Sequence, residues 1–233
     1  MKLKLLASVA VAGLLAAGAA SAEPNGWYGA IDAGWHSANV ETNYGTGVDF
    51  DVDGDWAGFA RLGYRFDQNW RVELEGGYRS GPMGDVTRAS TGAGMFCNLT
   101  PATGTCNAPD GDIDSTTLMA NVIFDFGSAD SSFRPFVGLG AGVNRVDTDF
   151  VSTFAANRGI RLTADDSSSE LAAQALAGVA LAFGDRGHLD LTYRYLVSNM
   201  AFDTTSSSAP QLGEFKGRYT DHSVTLGLRY AFG

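Results

Sequence analysis

The sequence predicts an all-β protein, an eight-stranded antiparallel up-and-down transmembrane β-barrel. Three observations predict it: eight segments alternate apolar and polar residues with period two, their connections alternate short and long, and aromatic residues gather at the segment ends. A strand turns successive side chains to opposite faces, so alternation alone is equally compatible with a soluble sheet. The number, length and spacing of the segments favour the membrane.

Taken in order, the outward residues begin with Trp27, Gly29, Ile31, Ala33 and Trp35. The second segment carries Trp56, Gly58, Ala60, Leu62, Tyr64 and Phe66; the third, "NWRVELEGGYRS", carries Trp70, Val72, Leu74 and Tyr78. The fourth runs from Leu118 to Phe126, the fifth from Pro135 to Val143 and the sixth from Leu171 to Phe183. Leu189 to Val197 and Val224 to Phe232 complete the set. Each spans about 9 to 13 residues, the length a tilted strand needs to cross a bilayer and longer than an ordinary globular strand.

The connections after the second, fourth and sixth segments are turn-like: "DQN" at 67–69, "GSADSS" at 127–132 and "GDRG" at 184–187. The others are long, roughly residues 38–54, 80–114, 146–169 and 199–220. Such regularity gives a barrel two ends in different surroundings, whereas a sandwich has no reason to obey it. Trp27, Phe66, Trp70, Phe126, Phe183 and Phe232 fall beside the short turns or the termini, and Trp35, Trp56, Tyr78 and Tyr195 near the long connections. These are the two aromatic girdles of a membrane barrel.

The opposite faces collect Asp32, Glu73, Glu75, Asp125, Glu170 and Asp190 against Arg61, Arg65, Arg71, Arg79, Arg194 and Arg229, with Asn121, Asn144 and Gln174 among them. Six acids against six bases suit enclosure in one lumen, because a buried charge is costly unless paired. Eight strands leave an interior that side chains can fill, so a polar plug is expected, with at most a narrow water path. Gly138, Gly140 and Gly142 are expected to make room for the long arginines.

The N-terminal Met1–Ala22 has two lysines, an apolar run of small residues and Ala20-Ser21-Ala22, the shape of a cleaved export signal. Residues 23–233 are then the barrel with its four long extracellular loops. The chain's net charge of −10 includes the leader lysines Lys2 and Lys4, so the mature protein is more acidic and nucleic acid is a poor partner. Mean hydropathy of −0.04 is uninformative, since barrel strands are half polar.

The segments "GWYGAIDAGW", "WRVELEGGYR", "PFVGLGAGVNRV", "ELAAQALAGVALAF", "LTYRYL" and "HSVTLGLRYAFG" together resemble the transmembrane domain of OmpA-type outer-membrane proteins and the related opacity-like surface antigens of Gram-negative bacteria. The resemblance implies a place in the outer membrane among lipid and lipopolysaccharide, and insertion by the barrel assembly machinery, which reads a C-terminal aromatic. Here that residue is Phe232, followed by Gly233. The peptidoglycan-binding domain of full OmpA-type proteins has no counterpart in the sequence, so cell-wall tethering is not implied.

Cys97 and Cys106 bracket "NLTPATGT" in the longest connection. In an exported protein they read as a disulfide, worth about 2.5 kcal/mol for so short a ring. "DFDVDGD", 49–55, imitates a calcium loop, but the twelfth position, which needs a bidentate Glu, holds Ala60, so no metal and no cofactor are expected. With Asp147, Asp149, Asp165 and Asp166 these residues form an acidic rim. Enzymatic chemistry is not expected: Ser37 and Ser223 directly follow His36 and His222, so each pair points to opposite faces. The expected function is a structural, porin-like barrel with a narrow, low-conductance lumen. The alternatives are a surface-recognition protein whose loops meet an unidentified ligand, and a lipid A-modifying enzyme.

Overall fold

The computed structural model describes residues 25–42, 48–88, 104–106, 110–128, 130–153, 161–206 and 209–232. The strands are β1 (Gly26–Thr42), β2 (Val48–Arg65), β3 (Trp70–Arg88), β4 (Gly104–Cys106), β5 (Asp110–Asp125), β6 (Phe133–Thr153), β7 (Arg161–Phe183), β8 (Gly187–Ser206) and β9 (Ala209–Ala231). Every ladder is antiparallel. Eight strands close a ring in the order β1, β2, β3, β5, β6, β7, β8, β9, and β1 pairs β9 from Tyr28↔Ala231 to Thr42↔Gly217. Closure leaves no unpaired edge in hydrocarbon, where unsatisfied backbone groups are prohibitive. The short β4 is an addition to the eight expected strands and lies against the far end of β3, Val86↔Cys106.

The four long connections differ from their expected form. The strands that flank them continue well into what the sequence suggests is loop: β1, of 17 residues, runs to Thr42, β3, of 19, to Arg88, β6, of 21, to Thr153, and β9, of 23, begins at Ala209. A strand of such length rises roughly 60 Å or more along its own axis, far more than the apolar band of about 25 Å demands even when tilted. The reason is visible in the ladder beyond the outer girdle, where Ala38, Val40 and Val52 keep the inward side apolar and buried. Alternation persists past the bilayer, so the wall stands above it as extended hairpins. At the other end the reversals are tight. Gly127 (φ 87°) and Gly184 (φ 65°) occupy the left-handed region that the turns require.

The wall is inside out relative to a soluble sheet. Trp27, Ile31, Trp35, Leu62, Leu74, Val122, Leu139, Leu171, Leu191 and Leu228 are exposed, while the guanidiniums of Arg65, Arg71, Arg79, Arg194 and Arg229 are among the most buried groups in the protein. Around the short-turn end the aromatic rings touch one another. Trp27 meets Tyr64 at 5.3 Å, Tyr64 meets Phe66 at 5.2 Å, Trp70 meets Phe124 at 4.9 Å and Phe124 meets Phe126 at 5.0 Å. Phe183 and Phe232 lie exposed at the same end. At the other end Trp35 and Trp56 are register partners, Trp56 packs on Tyr78 at 5.5 Å, and Tyr195 is exposed on the outward face of β8, two strands away.

Candidate functional site: a charged lumen

Inward parity on eight strands brings ionisable side chains from all around the ring to one axis, and the structure arranges them in tiers. Near the short turns, Asp125 of β5 receives Arg71 Nε at 3.0 Å from the adjacent β3 and Arg65 Nη2 at 3.1 Å from β2, one strand further round. Arg65 also donates to the Gln68 carbonyl at 3.2 Å, and Arg134 donates to the same carbonyl. The Arg71 guanidinium lies over the Phe136 ring at 4.9 Å and donates to Glu73. Charge, hydrogen bonding and ring contact therefore act on the same cation.

The middle tier spans the lumen. Arg61 of β2 donates Nε to Asp32 Oδ2 at 2.7 Å, Nη1 to Glu73 at 3.0 Å and Nη2 to Asp190 of β8 at 3.0 Å. Asp190 also receives Arg229 Nε at 3.1 Å. Arg194 donates Nε to Glu75 at 3.0 Å, Nη1 to Thr225 Oγ1 at 2.6 Å and Nη2 to Asp32 at 3.3 Å. Its guanidinium sits over Phe59 at 4.1 Å. Gln174 of β7 bridges Glu75 and Asn121 at 2.9 and 2.7 Å, and Tyr28 donates its hydroxyl to Glu73 at 2.8 Å.

The upper tier contains Arg79, whose Nε lies 2.9 Å from Asp221 Oδ1. His36 Nδ1 is 2.7 Å from Asp221 Oδ2, while His36 Nε2 is 2.9 Å from the Ser80 carbonyl. Ser115, Asn144 and Ser198 form a hydroxyl and amide chain, with contacts of 2.7 and 2.9 Å, across β5, β6 and β8. Tyr219 is buried beside this tier.

Of the sequence-expected lumen residues, Asp32, Arg61, Arg65, Arg71, Glu73, Glu75, Arg79, Asp125, Asp190, Arg194 and Arg229 all lie buried in these tiers. Glu170 does not join them. It is half-buried on β7, just beyond the last β7 and β8 pair of the closed wall, Ala172↔Ser198. Tyr28, His36, Arg134 and Asp221 are also buried in the lumen, beyond the expected set. Tyr28 was legible from the parity of Trp27, and Arg134 from that of Pro135. His36 and Asp221 border the long connections 38–54 and 199–220, where the alternation alone does not mark an inward face.

The glycines of β6 have a different purpose from the one expected. A Cβ at Gly138 would meet Ile123 and Leu176 at 2.9 and 3.0 Å, one at Gly140 would meet Asn121 at 1.9 Å, and one at Gly142 would meet the Leu118 carbonyl at 2.0 Å. They admit β5 and β7 neighbours rather than arginines, because the arginines reach the axis from other strands.

The calcium-like stretch falls within strand β2 and not in a loop, with Asp51 and Asp53 exposed and Ala60 facing outward. Asp51 instead accepts from Asn39 Nδ2 at 2.9 Å. No cluster of metal-ligating side chains occurs among the described residues. Cys97 lies outside the described residues, and with it the expected disulfide to Cys106.

The ladder also re-pairs the two histidines with the two serines. His36 faces Ser223 and Ser37 faces His222 across β1 and β9. Inside, both His36 nitrogens are engaged and Ser223 Oγ has no hydrogen-bond partner among the described residues. Outside, His222 Nδ1 contacts Tyr193 Oη at 2.6 Å and its ring lies 4.9 Å from Tyr195. Hydrogen bonding thus holds each histidine to a group other than its cross-strand serine.

A model of the outer membrane protein β-barrel domain matches residues 7–232. An outer membrane protein of Gluconacetobacter diazotrophicus is 29% identical over 195 residues, covering 77% of this chain and 47% of that protein, so the chain spans about half the length of this relative. Among solved structures, the outer membrane protein OprG of Pseudomonas aeruginosa superposes with a TM-score of 0.55 at 17% identity, over 90% of this chain and 99% of that one. Neisserial surface protein A gives 0.50 at 17% identity, over 88% and 97%. With its closed eight-stranded wall, lipid-facing apolar surface and charged interior, the chain belongs to the outer membrane protein β-barrel domain family and resides in the outer membrane.

Proposed function

We propose that the protein is a non-enzymatic structural barrel of the outer membrane whose lumen is a charged plug of low conductance. The observation that carries this reading is the Arg61 guanidinium, which ties Asp32, Glu73 and Asp190 from three strands across the axis. An eight-stranded ring leaves room for little beyond such side chains, and each is held by two or more charge-assisted bonds. The engagement of both His36 nitrogens supports a role without catalysis. Planar-bilayer recordings test the proposal. The wild type should pass little current, and Arg61→Ala together with Glu73→Gln should raise it. A large steady current indifferent to both substitutions would refute the plug. Lipid A of unchanged mass in a deletion strain is the matching expectation for a non-enzyme.

A second reading, recognition at the surface, is favoured by one feature. Asp112 and Asp114 of β5 face Asp149 and Asp147 of β6 in register, lining a cleft of about 420 Å³ with Arg145. Among the described residues that line the cleft, Arg145 is the one cation, at 2.9 Å from Asp147. Such a rim would take a basic partner surface. Weaker adhesion of cells carrying the four Asp→Asn changes to a polycationic surface would support it, and unchanged adhesion would remove it.

A further inference from the structure

The β7 and β8 ladder is interrupted on one side only. Pairing runs from Phe183↔Gly187 up to Ala172↔Ser198, stops, and resumes at Thr163↔Thr205. Over the same stretch β7 stays in register with β6 and β8 with β9, so the two strands part while their other neighbours hold. Across the gap Ser168 Oγ accepts the Ala201 N–H at 3.1 Å, a side chain standing where a ladder carbonyl would be.

At the foot of the seam lies a groove of about 920 Å³. That is near the top of the range of roughly 300–1,000 Å³ typical of small-molecule sites. Its lining mixes both faces of the wall. Leu171, Ala173, Tyr195 and Val197 belong to the lipid face, whereas Ala172 and Ser198 belong to the lumen face. The groove therefore lies against the last closed rung, Ala172↔Ser198, where the ladder begins to part. Tyr195 places it at the outer aromatic girdle, and the exposed Arg218 of β9, register partner of Asn199, stands at its rim. An apolar trough inside the bilayer with a cation at its water-facing end complements an amphiphile with an acyl chain and an anionic head.

We propose that this seam is a binding site for one acyl chain of an anionic phosphate-bearing membrane lipid, its head held by Arg218. Glu41 flanks Arg218 on the opposite side, across the β1 and β9 ladder. The guanidinium therefore chooses between that carboxylate and a lipid phosphate, and the groove's chain contacts favour the lipid.

Native mass spectrometry of the full barrel in detergent, with dimyristoyl phosphatidylglycerol and dimyristoyl phosphatidylcholine as probes, tests this. One phosphatidylglycerol should stay bound under conditions that strip phosphatidylcholine. Ala173→Trp, which fills the trough, and Arg218→Gln, which removes the anchor, should each lower the bound fraction by about tenfold, the loss of one charge-assisted contact or its apolar equivalent. Leu62→Trp on β2, on the opposite wall, should leave it unchanged. Heat-modifiable migration establishes that each variant is folded. Equal retention of both lipids with Arg218→Gln silent, or an equal loss from Leu62→Trp, would overturn the proposal.

Discussion

Arg61 of β2 grips Asp32 of β1 with two parallel hydrogen bonds, Nε to Oδ2 at 2.7 Å and Nη2 to Oδ1 at 2.8 Å, and neither side chain meets solvent. The fork geometry fixes both groups, and the remaining donors continue to Glu73 and Asp190. Removing such a cation takes one partner from three buried carboxylates at once, leaving each with a single arginine. Arg61→Ala should therefore cost about 3–5 kcal/mol, the usual result of breaking a buried pair by deleting one partner. Urea unfolding in lipid vesicles, followed by tryptophan fluorescence, measures it.

Leu74 lies midway along β3 between the girdle residues Trp70 and Tyr78, 52% exposed and facing lipid. Leu74→Arg at that depth should destabilise the barrel by about 2–4 kcal/mol and slow its insertion. Its neighbour Glu75 points the other way, to Arg194 and Gln174. Because Arg194 keeps Asp32 and Thr225, Glu75→Gln should still insert. The shift of the folded band on unheated gels separates the two.

Gly227 of β9 passes directly behind the Asp32 carboxylate. A Cβ there would stand 1.8 Å from Asp32 Oδ1, an atom that Arg61 holds in place. Gly227→Ala should cost about 1–3 kcal/mol, as overpacking does. Denaturant midpoints of Gly227→Ala and of the double variant with Asp32→Ala should show the penalty shrinking once the carboxylate is gone.

Asp67 in the first short turn accepts the Asn69 and Trp70 N–H groups at 2.8 and 2.9 Å, which hold its carboxyl below the ordinary range. A folded pKa lower than the unfolded one stabilises the turn above the ordinary carboxylate range near 4 and ceases to do so as pH falls through the lowered value. Carboxyl-carbon NMR of the micelle-bound barrel should place Asp67 below the other turn acids. Asp67→Ala should abolish the acid-dependent shifts of the Asn69 and Trp70 amides.

Much of the site was legible in the residues themselves. Arg71, Glu73, Glu75 and Arg79 share a parity, and the lipid-facing Trp70, Val72 and Leu74 between them tell which parity is inward. The partners were not legible, since Arg61 meets Asp190 from 129 positions away and Arg194 meets Asp32 from 162. Glu170 shows the limit from the other side: its parity is inward, but its strand has by then parted from β8.

By itself the sequence determined the faces and the ends. Period two allots each side chain to lipid or lumen, and alternating connections with aromatic flanks mark the two interfaces, because both properties depend only on local order along the chain. Tertiary structure decided the register, the tiers and the seam. How far strands climb past the bilayer, which acid a guanidinium meets and where β7 leaves β8 all depend on the stagger set when eight strands close a ring, and no single segment carries that stagger.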